Sequence, residues 1–530
     1  MKNKITYIAL AGFLSLLVFS CSEDFLQTKP TSSLTEANYF TSVDELESAL
    51  YACYSATTAF FYEPWMFSHI AFPLFALGDV GSDDSEVGGG DPSWDVESVF
   101  HEISMSRQGT DNFMLWFWWS MNFDLIGKCN LVIDKSAEML QNPDFDADRI
   151  KRIVDQAKFF RAFGLYNLVT MYGNIPMPTH FLSPDELNLE RTSASLVWDQ
   201  IEKDLEDATN LPMKSQWGES GRISQGAAYA LLGKAYMWQK QYDKAIEAYT
   251  EVINSNEYAL MTEYGDVHRH GSEHGIESIF EFQHATGTDG GDMTTWFWIF
   301  SMPRDQGAGG GWGFGNPTQD LIEEFEPGDP RIIYTTIFEG DVFPSSFSDS
   351  GRYVVENNGS QTDYTSRKSW IPIDERTSPD PRNLDKNYRY CRYAEVLLFC
   401  AEALNNDGQP EKAKEYLNMV RKRARNSSPE DVERISCVWD LSYTGELLPD
   451  VITSDPAALR EAIWHEQRVE LAFEGHRRWI LLRTERFKEA MEAAKGAKGC
   501  IVEDHEWLLP IHPDEVNYSN GRIPQNSGYN

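Results

Sequence analysis

Most of the chain carries apolar residues at the three- and four-residue spacing of an amphipathic α-helix, and segments with the alternation of a strand are few. Residues 151–171 form one such run. The helix is predicted to end at 172–176, whose sequence Tyr-Gly-Asn-Ile-Pro favours a turn. Another helix is predicted to begin at Asp455 and Pro456, because Asp is a favoured N-cap and Pro is favoured at the first helical position. The pattern predicts a mainly α protein.

Two segments have the residue spacing of a tetratricopeptide repeat, a helix pair of about 34 residues. The segment near 222–256 has it at Tyr229, Leu232, Gly233, Tyr236, Ala245 and Tyr249. The segment near 390–425 has it at Leu397, Ala401, Leu404, Ala413 and Leu417. Small residues such as Gly233 and Ala245 let two antiparallel helices approach closely. We therefore expect tetratricopeptide-like helix pairs that form a right-handed superhelical scaffold.

Two stretches interrupt the helical pattern, at about 78–100 and 265–389. Both are rich in Gly, Ser, Asp and Pro, which favour turns over continuous helix. We expect loops with short strands here, decorating the helical frame. Since binding residues are concentrated on loops held by a rigid scaffold, these stretches form the predicted ligand-binding region.

The charge of the chain excludes one class of partner. Its 530 residues include 82 acidic and 46 basic side chains, for a formal net charge of -36. Binding to nucleic acid depends on clustered Lys and Arg that displace counterions from phosphates. We therefore expect no nucleic-acid partner.

The first 20 residues have the features of a secretory signal peptide. Lys2 and Lys4 form a basic start, residues 5–19 are almost continuously apolar, and Ser20 places a small residue before Cys21. The apolar stretch is too short to span a bilayer comfortably. Residues 18–21 resemble a bacterial lipoprotein box, in which Cys21 is acylated and attaches the mature chain to membrane lipid. Residues 21–530 are then expected to form a single domain.

An ordered set of short motifs along the whole chain resembles the SusD (RagB/SusD) family of Bacteroidetes surface lipoproteins. The motifs lie at 24–26, 36–40, 157–162, 172–176, 328–331, 392–398, 401–403, 474–479, 509–511 and 525–529. Any one of them is weak alone, but their order is specific. Ser22, Glu23 and Asp24 also resemble the acidic tag that directs such lipoproteins to the cell surface.

The resemblance implies a lipid-anchored outer-membrane protein that faces the cell exterior. It implies a mainly helical chain that captures oligosaccharide or polysaccharide and delivers it to a SusC-like TonB-dependent transporter, with no chemistry of its own. Two alternatives stay open, namely a peptide-binding member of the same family and a surface glycoside hydrolase.

Aromatic residues in the predicted loops are candidates for sugar binding. A pyranose ring offers a flat face of C–H groups to an indole, while polar side chains hydrogen-bond its hydroxyls. A local strand after residues 289–292 would place Trp296 and Trp298 on one face. We predict platforms at Trp94, Trp296, Trp298 and Trp312, with Asp83 and Asp84 as polar partners. In contrast, Trp116, Phe117, Trp118 and Trp119 cover every side of a helix and are predicted to lie in the core.

Glu466 and Glu470 are the strongest candidates for catalysis, because they lie four positions apart on one predicted helix face. Glycosidases do use two carboxyl groups, about 5–9.5 Å apart. That face, however, is the apolar one. We expect these carboxylates to be neutralised by Arg477, Arg478 or Arg483, since a buried carboxylate needs a partner.

Two groups of residues have the chemistry of metal ligands without a known ligand spacing. The histidines are expected to lie on a solvated loop, and calcium at the acidic group is left open. No other cofactor is predicted. The two groups are His268, His270 and His274, and Asp79, Asp83, Asp84 and Glu86.

Overall fold

The computed structural model describes residues 39–58, 60–62, 66–68, 71–88, 95–285, 297–304, 310–344, 352–355, 362–371, 375–376, 384–428, 433–434 and 443–529. The predicted signal peptide at 1–20, the proposed acylation site Cys21, and Trp94 and Trp296 lie outside these residues. Within the described ranges, helices predominate and strands are short, so the prediction of a mainly α fold is confirmed.

The helices differ greatly in length. In chain order they are α1 (Val43–Thr58), α2 (Ala71–Leu74), α3 (Asp95–Ser104), α4 (Phe113–Met139), α5 (Ala147–Tyr172), α6 (Ala194–Ala208), α7 (Gln225–Trp238), α8 (Tyr242–Asn254), α9 (Phe297–Ser301), α10 (Gln319–Glu324), α11 (Arg331–Thr335), α12 (Tyr393–Asn406), α13 (Pro410–Asn426), α14 (Pro456–Leu471), α15 (Arg477–Arg483), α16 (Phe487–Lys495) and α17 (Pro513–Tyr518). A π-helical turn at Phe75–Val80 continues α2.

The strands form small antiparallel pairings. They are β1 (Phe60–Tyr62), β2 (Met66–Ser68), β3 (Ser85–Val87), β4 (Ser278–Phe282), β5 (Gly315–Pro317), β6 (Thr336–Phe338), β7 (Asp341–Pro344), β8 (Arg352–Val354), β9 (Tyr364–Ser366), β10 (Tyr388–Arg392) and β11 (Glu433–Arg434). The pairs are β1 with β2, β3 with β5, β4 with β10, and β6 with β9, while β7 lies between β8 and β11. Apart from β1, β2 and β11, these strands lie in, or border, the two predicted loop stretches.

Neighbouring helices pack in antiparallel pairs along the chain. α4 packs on α5 and α5 on α6, and α1 covers both α4 and α5. The two predicted repeats are the pairs α7 with α8 and α12 with α13, and α8 packs against α12. The repeats are therefore adjacent in space although about 140 residues separate them in the sequence.

Helix ends follow local sequence signals. The Asp455 carboxylate accepts a hydrogen bond from the Ala458 amide at 2.8 Å, which confirms the predicted start of α14. α5 ends at Gly173, whose φ of 69° is strained for residues with a Cβ. Both boundaries were predicted because caps depend on residues close in sequence.

The aromatic run at the start of α4 is buried on most of its sides. Phe117, Trp118 and Trp119 lie in the core as predicted. The prediction is wrong for Trp116, which is only half-buried and packs beside the ring of His512 at 6.3 Å. Among the described helices, none is long and apolar enough to cross a bilayer.

Gly233 is the point of closest approach between α7 and α8. A Cβ placed on Gly233 would lie 2.4 Å from the ring of Tyr249, which is fully buried. Ala245 on α8 is also fully buried. The predicted role of these small residues in close helix packing is thus confirmed.

Gly233→Ala should therefore destabilise the protein. Overpacking in a full core costs about 1–3 kcal/mol, which exceeds the gain of up to about 1 kcal/mol in helix propensity. Gly127→Ala in α4 is the matched control, since an added Cβ there meets no atom within 4 Å and should raise stability. Urea denaturation of both variants measures the difference, and equal stabilisation by the two changes would contradict the packing.

Candidate functional site

Two of the predicted binding loops meet at a short sheet. β3 and β5 pair in antiparallel register, from Ser85 opposite Pro317 to Val87 opposite Gly315. The Gly88 amide extends the pairing by donating to the Phe314 carbonyl at 3.2 Å. The stretch near 78–100 is thereby joined to residues 310–314, a glycine-rich run within the stretch near 265–389.

The same run is held by α9 and the residues that follow it. The amides of Trp312 and Phe314 donate to the carbonyls of Ile299 and Phe300 at 2.6 and 2.7 Å. The Gly313 amide donates to the Met302 carbonyl at 2.9 Å. The structure thus brings together three loop segments, one from the predicted stretch near 78–100 and two from the stretch near 265–389, at 298–302 and 312–315.

An aromatic cluster fills the junction of these segments, and we call Phe100, Phe300, Trp312 and Phe314 the Trp312 cluster. The rings of Phe300 and Trp312 meet edge to face with centroids 4.7 Å apart, and Phe100 lies 5.0 Å from Phe314. The three phenylalanines are buried, whereas Trp312 is half-buried. Trp312 therefore keeps accessible indole surface above an apolar support.

Sequence analysis did not single out Phe100 and Phe300. Both lie in apolar stretches that resemble any other part of the core. Their partners Phe314 and Trp312 belong to a different segment of the chain, so spacing carries no signal of the contact. Both residues lie within the two predicted loop stretches, at about 78–100 and 265–389, which is a hint of location and not of partners.

Trp298 differs from the prediction, because it is only 5% exposed. Its indole N–H donates to the Lys386 carbonyl at 2.8 Å, and the Lys386 ammonium lies 4.5 Å from the ring centroid. Residues 297–301 form a helical turn rather than a strand, so the expected strand geometry fails at Trp298. The expectation that this indole projects towards solvent is wrong.

Asp83 and Asp84 are also buried, at 2% and 1% exposure. Arg477 binds both carboxylate oxygens of Asp83 at 2.8 and 2.7 Å, and Arg468 contacts Asp84 at 2.7 Å. Burial alone would raise the pKa of Asp83, but Arg468 and Arg477 hold it well below its usual range. The expectation of solvent-facing polar partners is wrong here, since these carboxylates already bind arginines about 390 positions away in sequence.

Comparison with known proteins agrees with this architecture. A family model described as the SusD family matches residues 276–529, and one described as starch-binding associating with outer membrane matches residues 24–237. A tetratricopeptide repeat model matches residues 227–256, over α7 and α8. The chain belongs to the SusD family.

Relatives of this SusD-like protein align over most of its length. SusD-like protein P2 of Formosa agariphila is 24% identical over 100% of both chains. A solved laminarin binding SusD-like protein is 26% identical, with a TM-score of 0.71 over 92% of this chain and 99% of its own. Surface glycan-binding protein A of Bacteroides thetaiotaomicron, solved with laminarihexaose, has the same fold at 21% identity, with a TM-score of 0.70 over 92% and 100% of the two chains.

The carboxylate pair of this SusD-like protein is unsuited to acid–base chemistry. Glu466 and Glu470 are both 0% exposed, so a glycan has no access to them. Burial would raise the pKa of Glu470, but the surrounding arginines lower it to about 2, whereas a glycosidase acid needs a raised pKa. The catalytic alternative based on this pair is therefore wrong.

The partners of Glu466 and Glu470 also differ from those expected. They are Arg331, Arg392, Arg421 and Arg423. The three arginines named in the sequence analysis have other partners. Arg477 binds Asp83, Arg478 donates to the Gly81 carbonyl, and Arg483 binds Glu402.

The acidic group considered for calcium does not form a metal cage. Asp83 and Asp84 bind arginines, Lys498 lies 2.6 Å from Glu86, and burial raises the pKa of Asp79 well above its usual range. Within the described residues, no group of three or more His, Cys, Asp or Glu side chains is arranged to hold a metal ion. These contacts argue against calcium at this position.

The three histidines were expected to lie on a solvated loop, and this expectation is wrong. His268 faces Glu474 at 3.2 Å, His270 faces Asp385 at 2.9 Å, and the His274 side chain is only partly exposed. Burial lowers the pKa of His268 to about 3. The rings therefore pack into the structure beside separate carboxylates.

Asp83→Asn should lower the free energy of unfolding by about 3–5 kcal/mol, because it leaves Arg477 and Arg468 buried beside a neutral amide. Asp504→Asn is the matched control, since the side chain of Asp504 is 95% exposed and its pair with Lys488 should contribute less than about 1 kcal/mol. Urea denaturation measures both changes. An unchanged stability of the Asp83 variant would mean that Asp83 faces solvent and regains its role as a possible ligand contact.

Proposed function

We propose that this SusD-like protein is a cell-surface glycan-binding lipoprotein that captures oligosaccharide or polysaccharide without cleaving it. The observation that supports this most strongly is the half-buried indole of Trp312 at the junction of three loop segments. Such a ring offers an apolar face to the C–H face of a sugar. The names of related proteins, one laminarin binding and one surface glycan-binding, support the same ligand class.

Trp312 is well suited to stacking on a sugar because its backbone amide is hydrogen-bonded and its ring is packed against another ring. Its amide donates to Ile299, and its ring packs edge to face on Phe300. A platform that is ordered before binding loses little conformational entropy when a sugar stacks on it. Trp94 and Trp296 stay predictions as further platforms, since Gly88 and α9, which lie close to them in sequence, border the same cluster.

The hydroxyl groups of the sugar need polar partners other than Asp83 and Asp84. Arg304 is exposed, and its Cβ lies 3.4 Å from the position of a Cβ added to Gly313. Arg304 therefore starts close to the backbone next to Trp312, and an exposed guanidinium can donate to hydroxyl oxygens at the rim of a stacked ring. We therefore include Arg304 in the proposed site as a hydrogen-bond donor.

Trp312→Ala should weaken glycan binding strongly. Loss of a central aromatic contact costs about 2 kcal/mol or more, which raises Kd at least roughly 30-fold. Affinity electrophoresis in laminarin and other neutral polysaccharides measures retention, with Tyr518→Ala as a control because Tyr518 is a 76% exposed aromatic outside the site. Unchanged retention of the Trp312 variant would refute the proposed platform, and release of reducing ends by the pure protein would refute its non-enzymatic role.

Peptide binding is the second candidate function. The net charge of -36 favours cationic peptides, and an indole platform also accepts apolar side chains. A glycan array and a panel of basic oligopeptides, run with the same protein, separate the two ligand classes.

Delivery to a SusC-like TonB-dependent transporter and anchoring through acylated Cys21 complete the proposal. Their support is the lipoprotein-box pattern at residues 18–21 and a family model described as associating with outer membrane. Acyl chains contribute about 0.8 kcal/mol for each buried CH₂ group, so a multiply acylated N-terminus holds a protein firmly on a membrane.

Cys21→Ala should therefore move the protein from the outer-membrane fraction to the soluble fraction. Labelling with a radioactive fatty acid should be lost in the same variant, and Cys53→Ala is the control because Cys53 is buried in α1. Membrane retention of the Cys21 variant would contradict the anchor. Co-purification of the transporter with the wild-type protein after detergent extraction tests the partner.

A further inference from the structure

A cavity lies away from the Trp312 cluster, and we call it the Trp217 cavity. It has a volume of about 410 Å³, within the usual range of about 300–1,000 Å³ for small-molecule sites. The connection between α6 and α7 forms one side, and β4 with the turn before it forms the other. It shares no lining residue with the Trp312 cluster.

Both sides of the cavity contribute apolar residues. The indole N–H of Trp217 donates to the Ile223 carbonyl at 3.0 Å, which fixes the ring while leaving it half-buried. Ile279 and Phe280 of β4 are buried and also line the cavity. The Trp217 N–H is already bonded, and the Arg222 guanidinium lies over the ring at 5.9 Å from its centroid, so the ring offers a ligand the apolar surface that remains.

The cavity also has polar groups, and the protein itself orders them. The Glu257 carboxylate accepts hydrogen bonds from the amide and hydroxyl of Ser215, both at 2.8 Å. The Gln283 amide donates to the Glu281 carbonyl at 2.9 Å and accepts from Asn387 at 3.2 Å. A carboxylate and an amide held in this way retain further lone pairs for hydroxyl groups of a ligand.

Lys214 and Arg222, the two cationic residues of the lining, are already engaged by partners within the protein. Lys214 donates to the carbonyls of Gly275 and Ser278 at 2.7 and 2.8 Å. Arg222 binds Glu47 at 2.6 Å and Glu219 at 2.5 Å. A strongly charged ligand would have to displace such pairs, whereas a neutral ligand would not.

From this combination we infer that the Trp217 cavity is a second saccharide site, which binds a neutral sugar unit by stacking on Trp217 and hydrogen bonding to Glu257 and Gln283. A rigid indole, a polar rim and paired charges together fit a ligand with an apolar face and many hydroxyl groups. The site is additional to the proposed platform at Trp312 and does not depend on it.

Gly218→Phe is the most direct test. Gly218 lines the cavity, and a Cβ added there meets no atom within 4 Å, so the side chain can start without a steric conflict and its ring should occupy cavity space. Gly218→Ala is the matched control, because it leaves the cavity open. Thermal unfolding of both variants should match the wild type, which separates a blocked cavity from a damaged fold.

Isothermal titration with neutral hexasaccharides (laminari-, malto-, cello-, xylo- and mannohexaose) then counts the sites. With at least one of them, we expect two sites in the wild type and in Gly218→Ala, one in Gly218→Phe, one in Trp312→Ala, and none in the double variant Trp312→Ala with Gly218→Phe. For that sugar, the fluorescence of Trp217 should respond in the Trp312→Ala background and should lose the response when Gly218→Phe is added.

The outcomes distinguish this inference from the proposed function. A single site that is lost in Trp312→Ala and unchanged in Gly218→Phe would overturn the second site and leave the proposed function intact. Two sites that both persist in Trp312→Ala would overturn the Trp312 platform. Absence of any Gly218-sensitive binding across the five hexasaccharides would overturn the inference, whatever happens at Trp312.

Discussion

The rest of the structure depends on a network of buried ion pairs at its centre. Arg331 contacts Asp329, Glu466 and Glu470, and Arg392 contacts Glu277, Glu470 and Glu474, all deeply buried. Through these contacts α11, α14, β10 and the segment before β4 are joined. Removing one partner from such a network leaves an uncompensated charge in a region of low dielectric constant. Each of these elements can therefore dock favourably only when the others are in place.

The charge network also positions the candidate binding surface. Arg468 in α14 and Arg477 at the start of α15 bind Asp84 and Asp83. The carbonyls of these two aspartates accept hydrogen bonds from the side chain and amide of Thr318, directly after β5. Since β5 continues the run that carries Trp312, the ion pairs hold the support of the platform. Asp83 and Asp84, which the sequence suggested as polar ligand contacts, therefore support the segment that carries the platform and do not face the ligand themselves.

Local features of the fold could be predicted from sequence, whereas contacts between distant segments could not. The cap at Asp455, the end of α5 at Gly173 and the close approach at Gly233 each follow from residues within one helix or one helix pair. The burial of Asp83 depends on Arg477, far along the chain, and no spacing rule connects them. The prediction for Trp298 failed for a related reason. A five-residue segment between loops is too short for its pattern of apolar residues to distinguish a helical turn from a strand.

The same division bears on the proposed binding of neutral glycans, which the excess of acidic residues alone would not suggest. Four carboxylates that the sequence suggested as catalytic or ligand-binding groups are bound to arginines instead, and their pairing stabilises the fold. They are Glu466, Glu470, Asp83 and Asp84. The proposed sites instead present indole rings. The indole N–H of Trp217 donates to a backbone carbonyl, whereas Trp312 is held by its backbone amide and by the ring of Phe300. An indole face recognises the C–H surface that many sugars share and distinguishes poorly between linkages. Selectivity among neutral glycans must then come from the shape of the loops around each ring and from polar groups such as Arg304, Glu257 and Gln283.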